Sequence, residues 1–154
     1  MLILFSSHEV YGLPYIDIDV VTTNDMITNS SYSNLVILDV RNQTEYDKER
    51  LDGAILIPVI ELESRIAELA VYKDSEILVY CRTGVRSSLA SSILDSNNFT
   101  MVFNMIGGIS AWKANGYPTI TTEFPSWIIV LLFMITIVLG IVTYQTRMKN
   151  KKSK

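Results

Sequence analysis

The sequence predicts an α/β domain whose parallel sheet is covered by helices on both faces, joined to one transmembrane helix near the C-terminus. Three observations lead there. Short apolar segments alternate with polar, helix-like stretches between Tyr15 and Pro118. The strand-like EILVY ends at Cys81, in a glycine-containing loop that runs straight into a helix. The run FPSWIIVLLFMITIVLGIVTY, from Phe124 to Tyr144, carries no charge. Strands that alternate with helices pack as a parallel sheet with right-handed crossovers.

Residues 1–14, MLILFSSHEVYGLP, hold a short apolar run with no basic residue before it. They read as a short N-terminal segment, either a truncated signal sequence or simply a disordered or packing start. The domain proper is expected over 15–121. Ile16–Val20 alternates with aspartates and reads as a first strand; Asn34–Val40, Ala54–Ile57, Glu76–Tyr80 and Met101–Asn104 supply the others. Most of these are dense in β-branched or bulky apolar residues on both faces, as buried parallel strands are. Thr22 or Thr23 is expected to cap an early helix, and Asn42 with Glu45 fits a capping box. Glu61–Ala70 sets Leu62, Ile66 and Leu69 on one helical face, and Ser87–Leu94 groups Leu89, Ala90, Ile93 and Leu94. Glu61, Glu63 and Glu68 read as a solvated face, Trp112 and Tyr117 as packing residues, and Gly107-Gly108 as a turn beside the cysteine loop.

A mean hydropathy of +0.27 and 49% hydrophobic residues are high for a domain that only has to fill a core. The excess lies at 124–146, where Trp127 and Tyr144 stand at the ends of a stretch as long as a bilayer's hydrocarbon is thick. Charge divides at the same boundary. Through Pro125 there are eight basic residues against all sixteen acids, a net of −8, whereas the tail 147–154 carries five lysines and arginines and no acid. An acidic domain has no long-range attraction for nucleic acid, so no nucleic-acid partner is expected. The basic tail marks a cytoplasmic end, which places the domain outside the cytoplasm, with the lipid bilayer as a partner.

Cys81 is the one cysteine and His8 the one histidine, so no intramolecular disulfide can form and no metal or other cofactor is expected. The chemistry gathers instead in Cys81-Arg82-Thr83-Gly84-Val85-Arg86-Ser87-Ser88. A tight turn between a strand's carboxyl end and a helix start aims successive backbone N–H groups inward and makes an anion cradle. A thiol at its mouth, with Arg82 and Arg86 beside it, ionises more readily than a free cysteine, and the thiolate is the nucleophile. It would attack a donor such as thiosulfate, hold the outer sulfur as a persulfide, and pass it to an external thiol or cyanide in a ping-pong cycle.

Together with that loop, Leu38-Asp39-Val40-Arg41, Glu45-Tyr46, Gly53-Ala54, Ile57-Pro58, Gly107-Gly108, Ala111-Trp112 and Gly116-Tyr117-Pro118 make the stretch from Tyr15 to Pro118 resemble a single-domain rhodanese. The resemblance implies a five-stranded parallel sheet, a thiosulfate-type sulfurtransferase activity, Cys81 as sulfur carrier and Arg86 as an anion contact that closes the loop. It also makes Asp39 and Arg41 supporting residues near the active face. They fall at a strand's carboxyl end, where Arg41 is placed to pair with Glu45 across a helical turn. One departure is plain: Glu49-Arg50-Leu51-Asp52 stands where the family often has Gly-His-Ile. Only Arg82, Thr83, Gly84 and Val85 separate Cys81 from Arg86, one residue fewer than in phosphatase loops of this kind, which favours sulfur transfer over phosphate-ester hydrolysis. The rival reading from another class is a catalytically idle module that binds a partner at the membrane.

Overall fold

The computed structural model describes residues 15–122 and 126–152, without the side chains of 126, 129, 146 and 149–152. The segment 1–14, with His8, lies outside the described residues. The chain divides into two compact units after Thr121.

The first unit is an α/β layer structure. Its main sheet takes β1 (Ile16–Ile18), β2 (Val36–Asp39), β4 (Ile55–Leu56), β5 (Glu76–Tyr80) and β6 (Met101–Met105), in the order β1-β6-β5-β2-β4, every pair parallel. β5 is the central strand, and its burial is nearly complete from Ile77 to Tyr80. Alternation then sends its side chains to opposite faces. Ile77 and Val79 join Leu38, Leu62, Leu69, Ala90, Leu94 and Phe99 in one core layer. Leu78 and Tyr80 join Val20, Leu51, Met105, Ile109 and Trp112 in the other. Each large side chain so buried contributes roughly 1.5–3 kcal/mol.

Helices cover both faces. α1 (Val20–Thr28) starts one residue after Asp19, whose carboxylate accepts the N–H of Thr22 at 2.7 Å. The cap is therefore Asp19 rather than Thr22 or Thr23, and the first strand stops at Ile18 because Val20 already begins the helix. α2 (Gln43–Lys48) opens with the expected capping box of Asn42 and Glu45. The helix expected over Glu61–Ala70 is shorter than that: α3 covers Leu62–Arg65, and a 3-10 stretch continues over Ile66–Tyr72, with neither N-terminus capped by a side chain. Leu62 and Leu69 are buried all the same. α4 (Val85–Ser96) buries Ser87, Ala90, Ser91 and Leu94, so two serines face inward while Leu89 is 58% exposed. The apolar positions alone had suggested a face rotated toward Leu89. α5 (Gly108–Ala114) follows β6. Trp112 packs as expected: its ring lies 4.7 Å from that of Tyr117, and its Nε1 donates to the Pro118 carbonyl at 2.8 Å.

A second, two-stranded antiparallel sheet has no counterpart in the sequence reading. β3 (Glu49–Arg50) pairs with β7 (Ile120–Thr121) and ties the end of the domain back to α2.

The second unit holds α6 (Ser126–Lys152), 27 residues or about 40 Å long. It runs past the span expected at 124–146 into the basic segment expected at 147–154; Phe124 and Pro125 lie outside the described residues. Among the described residues no helix is long and apolar enough to cross a membrane.

Candidate active site

β5 delivers Cys81 to the carboxyl edge of the sheet, between β2 and β6, and the chain turns there into α4. Gly84 makes the turn possible. It takes φ +99 as the N-cap of α4, and a Cβ there would come within 3.2 Å of the Gly107 nitrogen. The loop then folds over its own first residue. The Gly84 N–H donates to the Cys81 Sγ at 3.2 Å, and the Ser87 hydroxyl is placed to donate its one proton either to the same sulfur, at 3.6 Å, or to the Gly84 carbonyl, at 3.0 Å.

The sulfur sits at the bottom of this cradle, for Cys81 is only 1% exposed. Burial pushes its thiol up. The Ser87 hydroxyl and the N–H groups of Ser87, Thr83 and Gly84 outweigh that effect, and the net displacement is below the ordinary cysteine value. A buried free cysteine is ordinarily a small hydrophobe. Amides converging on the sulfur separate this one from that class.

The two arginines of the loop have different surroundings. Arg86 forms a two-pronged pair with Glu45, Nη1 to Oε2 and Nη2 to Oε1, both at 2.8 Å. Its guanidinium is held charged chiefly by Glu45, with a smaller contribution from Cys81. Arg82 is exposed and lines a separate cleft; among the described residues it makes no ion pair. Thr83 and Val85 are exposed too, and they serve the loop through their backbone.

Behind the loop, α5 closes against it. The N–H groups of Ile109 and Ser110 donate to the carbonyls of Cys81 and Arg82 at 2.9 and 3.1 Å. Gly108 makes that contact possible: with φ +56, a Cβ there would run into the Cys81 carbonyl oxygen and would lie 2.6 Å from the Arg82 carbonyl carbon. The glycine pair does lie beside the loop, as its place after β6 suggested.

Asp39 and Arg41 come together at the end of β2, but not in the expected pairing. Arg41 does not bond Glu45. Its Nη2 donates to Asp39 Oδ2 at 2.6 Å and to the Glu49 carbonyl at 2.6 Å, and its Nε donates to both Asp39 oxygens. The reason is reach: Glu45 is drawn across to Arg86, while Asp39 lies two residues from Arg41 and is fully buried. The guanidinium also covers the Tyr80 ring, 5.5 Å from its centroid. The Glu49-Arg50-Leu51-Asp52 stretch is occupied structurally, with Glu49 and Arg50 in β3 and the Leu51 N–H donating to the Tyr80 hydroxyl at 3.1 Å.

Sequence reasoning missed the bond from Glu45 to Arg86, although both residues stood in the quoted motifs; 41 residues separate them, and no local rule links them. It also missed the cleft beside the loop, about 490 Å³, lined by Arg41, Glu45, Lys48, Glu49, Arg82 and Lys113, with Ile109 and Ser110 at its wall. Among the described residues no group of three or more His, Cys, Asp and Glu is placed to hold a metal ion.

Comparison with known proteins bears on the same region. A family model described as rhodanese-like domain matches residues 22–115. A sulfurtransferase of Allochromatium vinosum is 30% identical over 90 residues, covering 58% of this chain and 82% of that protein. The thiosulfate sulfurtransferase GlpE of Coxiella burnetii is 35% identical over 86 residues, covering 56% and 78%. The putative sulfur carrier protein YrkF of Bacillus subtilis is 37% identical over 82 residues, which is 53% of this chain and 43% of that longer protein. Among solved structures, a rhodanese-related protein of Thermoplasma volcanium superposes with a TM-score of 0.60 at 28% identity, over 69% of this chain and 98% of its own. A rhodanese-like domain from an Anabaena protein gives 0.61 at 28% identity, over 71% and 83%. The model covers more than half of the chain and takes in the sheet, the cysteine loop and α5, so the chain belongs to the rhodanese-like domain family.

Proposed function

We propose that this chain is a sulfurtransferase that moves a sulfane sulfur from a donor such as thiosulfate to an external thiol or cyanide through a persulfide on Cys81. The observation that carries the reading is the set of loop N–H groups and the Ser87 hydroxyl directed at the buried Cys81 sulfur.

In the loading step the Cys81 thiolate attacks the outer sulfur of thiosulfate. A new S–S bond forms, the sulfur–sulfur bond of thiosulfate breaks, and its electron pair leaves on sulfite. The terminal sulfur of the persulfide then carries the negative charge, and the N–H groups of Thr83, Gly84 and Ser87 stabilise it without rearranging, as a preorganised cradle does. Arg82 and Arg86 meet the anionic donor, while Val85 carries the loop into α4. Asp39 and Arg41 hold the neighbouring strand end and β3 in place, and so support the site without touching the reacting sulfur. In the unloading step an external nucleophile attacks the outer sulfur, and the pair returns to Sγ as thiolate. The single cysteine makes the acceptor a second molecule.

The test is thiocyanate formation from thiosulfate and cyanide by the full chain. Turnover that disappears in Cys81→Ser is the expected result. An intact fold with no turnover and no sulfur on Cys81 would favour the idle binding module instead.

The same reading includes a membrane tether, with residues 124–146 as the span, the tail 147–154 cytoplasmic and the domain outside the cytoplasm. Its support is the charge-free run from Phe124 to Gln145 with aromatic residues at Trp127 and Tyr144, and the basic residues that follow. Alkaline carbonate should leave the chain in the membrane fraction, and protease added to intact cells should digest the domain but spare an epitope on the tail. Release by carbonate would remove the tether, and protection of the domain would reverse the orientation.

A further inference from the structure

The cleft beside the loop carries a charge opposite to that of the domain around it. Its lining has four cationic side chains, Arg41, Lys48, Arg82 and Lys113, and two carboxylates, Glu45 and Glu49. Both carboxylates are already engaged, Glu45 by Arg86 and Glu49 by Lys113 at 2.7 Å. Arg41 is likewise committed to Asp39. Lys48 and Arg82 remain: both are exposed, and among the described residues neither has a carboxylate partner. Two uncompensated cations in a concave site, within an acidic domain of net −6 over residues 15–121, form a local field that attracts small anions.

The cleft also adjoins the backbone of the cysteine loop. Arg82 is the residue after Cys81, and Ile109 and Ser110 in the cleft wall are the two residues whose N–H groups bond the Cys81 and Arg82 carbonyls. A volume of about 490 Å³ suits a small molecule.

We propose that this cleft is the acceptor subsite, and that it selects a small thiol bearing at least one carboxylate, which Lys48 and Arg82 bind while its sulfur reaches the persulfide. The proposal rests on the sulfurtransferase reading. The acceptor thiolate attacks the outer sulfur, the bond from Sγ to that sulfur breaks, its electron pair stays on Sγ as thiolate, and the acceptor leaves as a persulfide. No external oxidant or reductant enters.

The test uses the full chain in an uncharged detergent, loaded with thiosulfate and freed of excess donor. Loss of the extra sulfur is followed by mass after adding 3-mercaptopropionate, 2-mercaptoethanol or cysteamine, which are anionic, neutral and cationic thiols of similar size, at matched thiolate concentrations. The expected result is discharge fastest to 3-mercaptopropionate, with that preference weakened by high salt. In Lys48→Glu the rate ratio of 3-mercaptopropionate to 2-mercaptoethanol should fall about threefold to tenfold, and the ratio for cysteamine should rise. Ratios within one protein are insensitive to how much of the variant is folded. Equal ratios in the two proteins would overturn the subsite. So would a Lys48→Glu chain that loads slowly from thiosulfate yet keeps the wild-type ratio, because the cleft would then serve the donor. A wild-type chain that never takes up sulfur would instead overturn the sulfurtransferase reading itself.

Discussion

Two arginine–carboxylate pairs stand at the ends of neighbouring strands, and they are built to opposite specifications. Asp39 and Arg41, at the end of β2, are 0% and 4% exposed, two residues apart, and joined by several bonds that also hold the Glu49 carbonyl. Glu45 and Arg86, beside the cysteine loop, are 25% and 35% exposed and join segments far apart in sequence through two bonds. A buried pair gains little net stability from its charges, yet losing one partner leaves the other charge stranded. A half-exposed pair is cheap to break and free to adjust. The first pair is therefore tied into the architecture, and the second borders the cysteine loop.

Substitutions test that division in descending order of effect. Arg41→Ala should destabilise the domain by about 3–5 kcal/mol, read by denaturant unfolding, because it leaves Asp39 buried without its cation. A loss below about 1 kcal/mol would contradict the architectural role. Gly108→Ala should cost about 2–4 kcal/mol, since the backbone is left-handed there and the new methyl meets the Cys81 and Arg82 backbone. What survives folded should transfer sulfur poorly, because the loop has been pushed away from α5. Glu45→Gln should lower stability by about 1 kcal/mol or less. Its larger effect should fall on the loading rate and on the pH profile of Cys81 alkylation, as Arg86 loses its anchor.

Two pH dependences follow from the same geometry. The Arg86 guanidinium holds the Glu45 carboxyl below the usual carboxylate range, against the opposing effect of burial. The pair's contribution is therefore fully present above the ordinary glutamate range and is lost as pH falls through the lower folded value. In acid titration, wild-type and Glu45→Gln stabilities should converge. For Cys81, the thiolate should persist to a pH below that of an unfolded cysteine, and Ser87→Ala should move the alkylation midpoint back up. An unmoved midpoint would remove the hydroxyl from the account. The smallest effect is expected at Arg65, whose bonds to Glu61 and Glu68 are exposed, and Arg65→Ala should leave sulfur transfer unchanged.

Much of this was legible because the signals are local. Continuous apolar runs announced the strands, and the chain from Tyr80 through Ser87 announced the cysteine together with the loop that folds over it. The Asn42 and Glu45 capping box was readable from their spacing. What escaped was either rotated or distant. The buried face of α4 uses Ser87 and Ser91, which apolar periodicity ignores. The capping role of Asp19 was hidden because the residue lay inside an apparent alternation. The partner of Arg41 was misassigned, and that of Arg86 missed, because nearest-neighbour spacing cannot see that Glu45 spans from α2 to the loop. The small sheet of β3 and β7 joins two-residue strands, too short to leave a pattern. The cleft is a property of tertiary assembly, drawing its cations from the end of β2, α2, the cysteine loop and α5.

The central claim is that the Cys81 sulfur, held among loop amides, accepts and carries one further sulfur atom. Intact-mass measurement of the full chain after exposure to thiosulfate tests it most directly. The account predicts an increase equal to one sulfur atom, reversed by cyanide and absent in Cys81→Ser. An unchanged mass in a folded wild-type chain, or the same increase in Cys81→Ser, would contradict it.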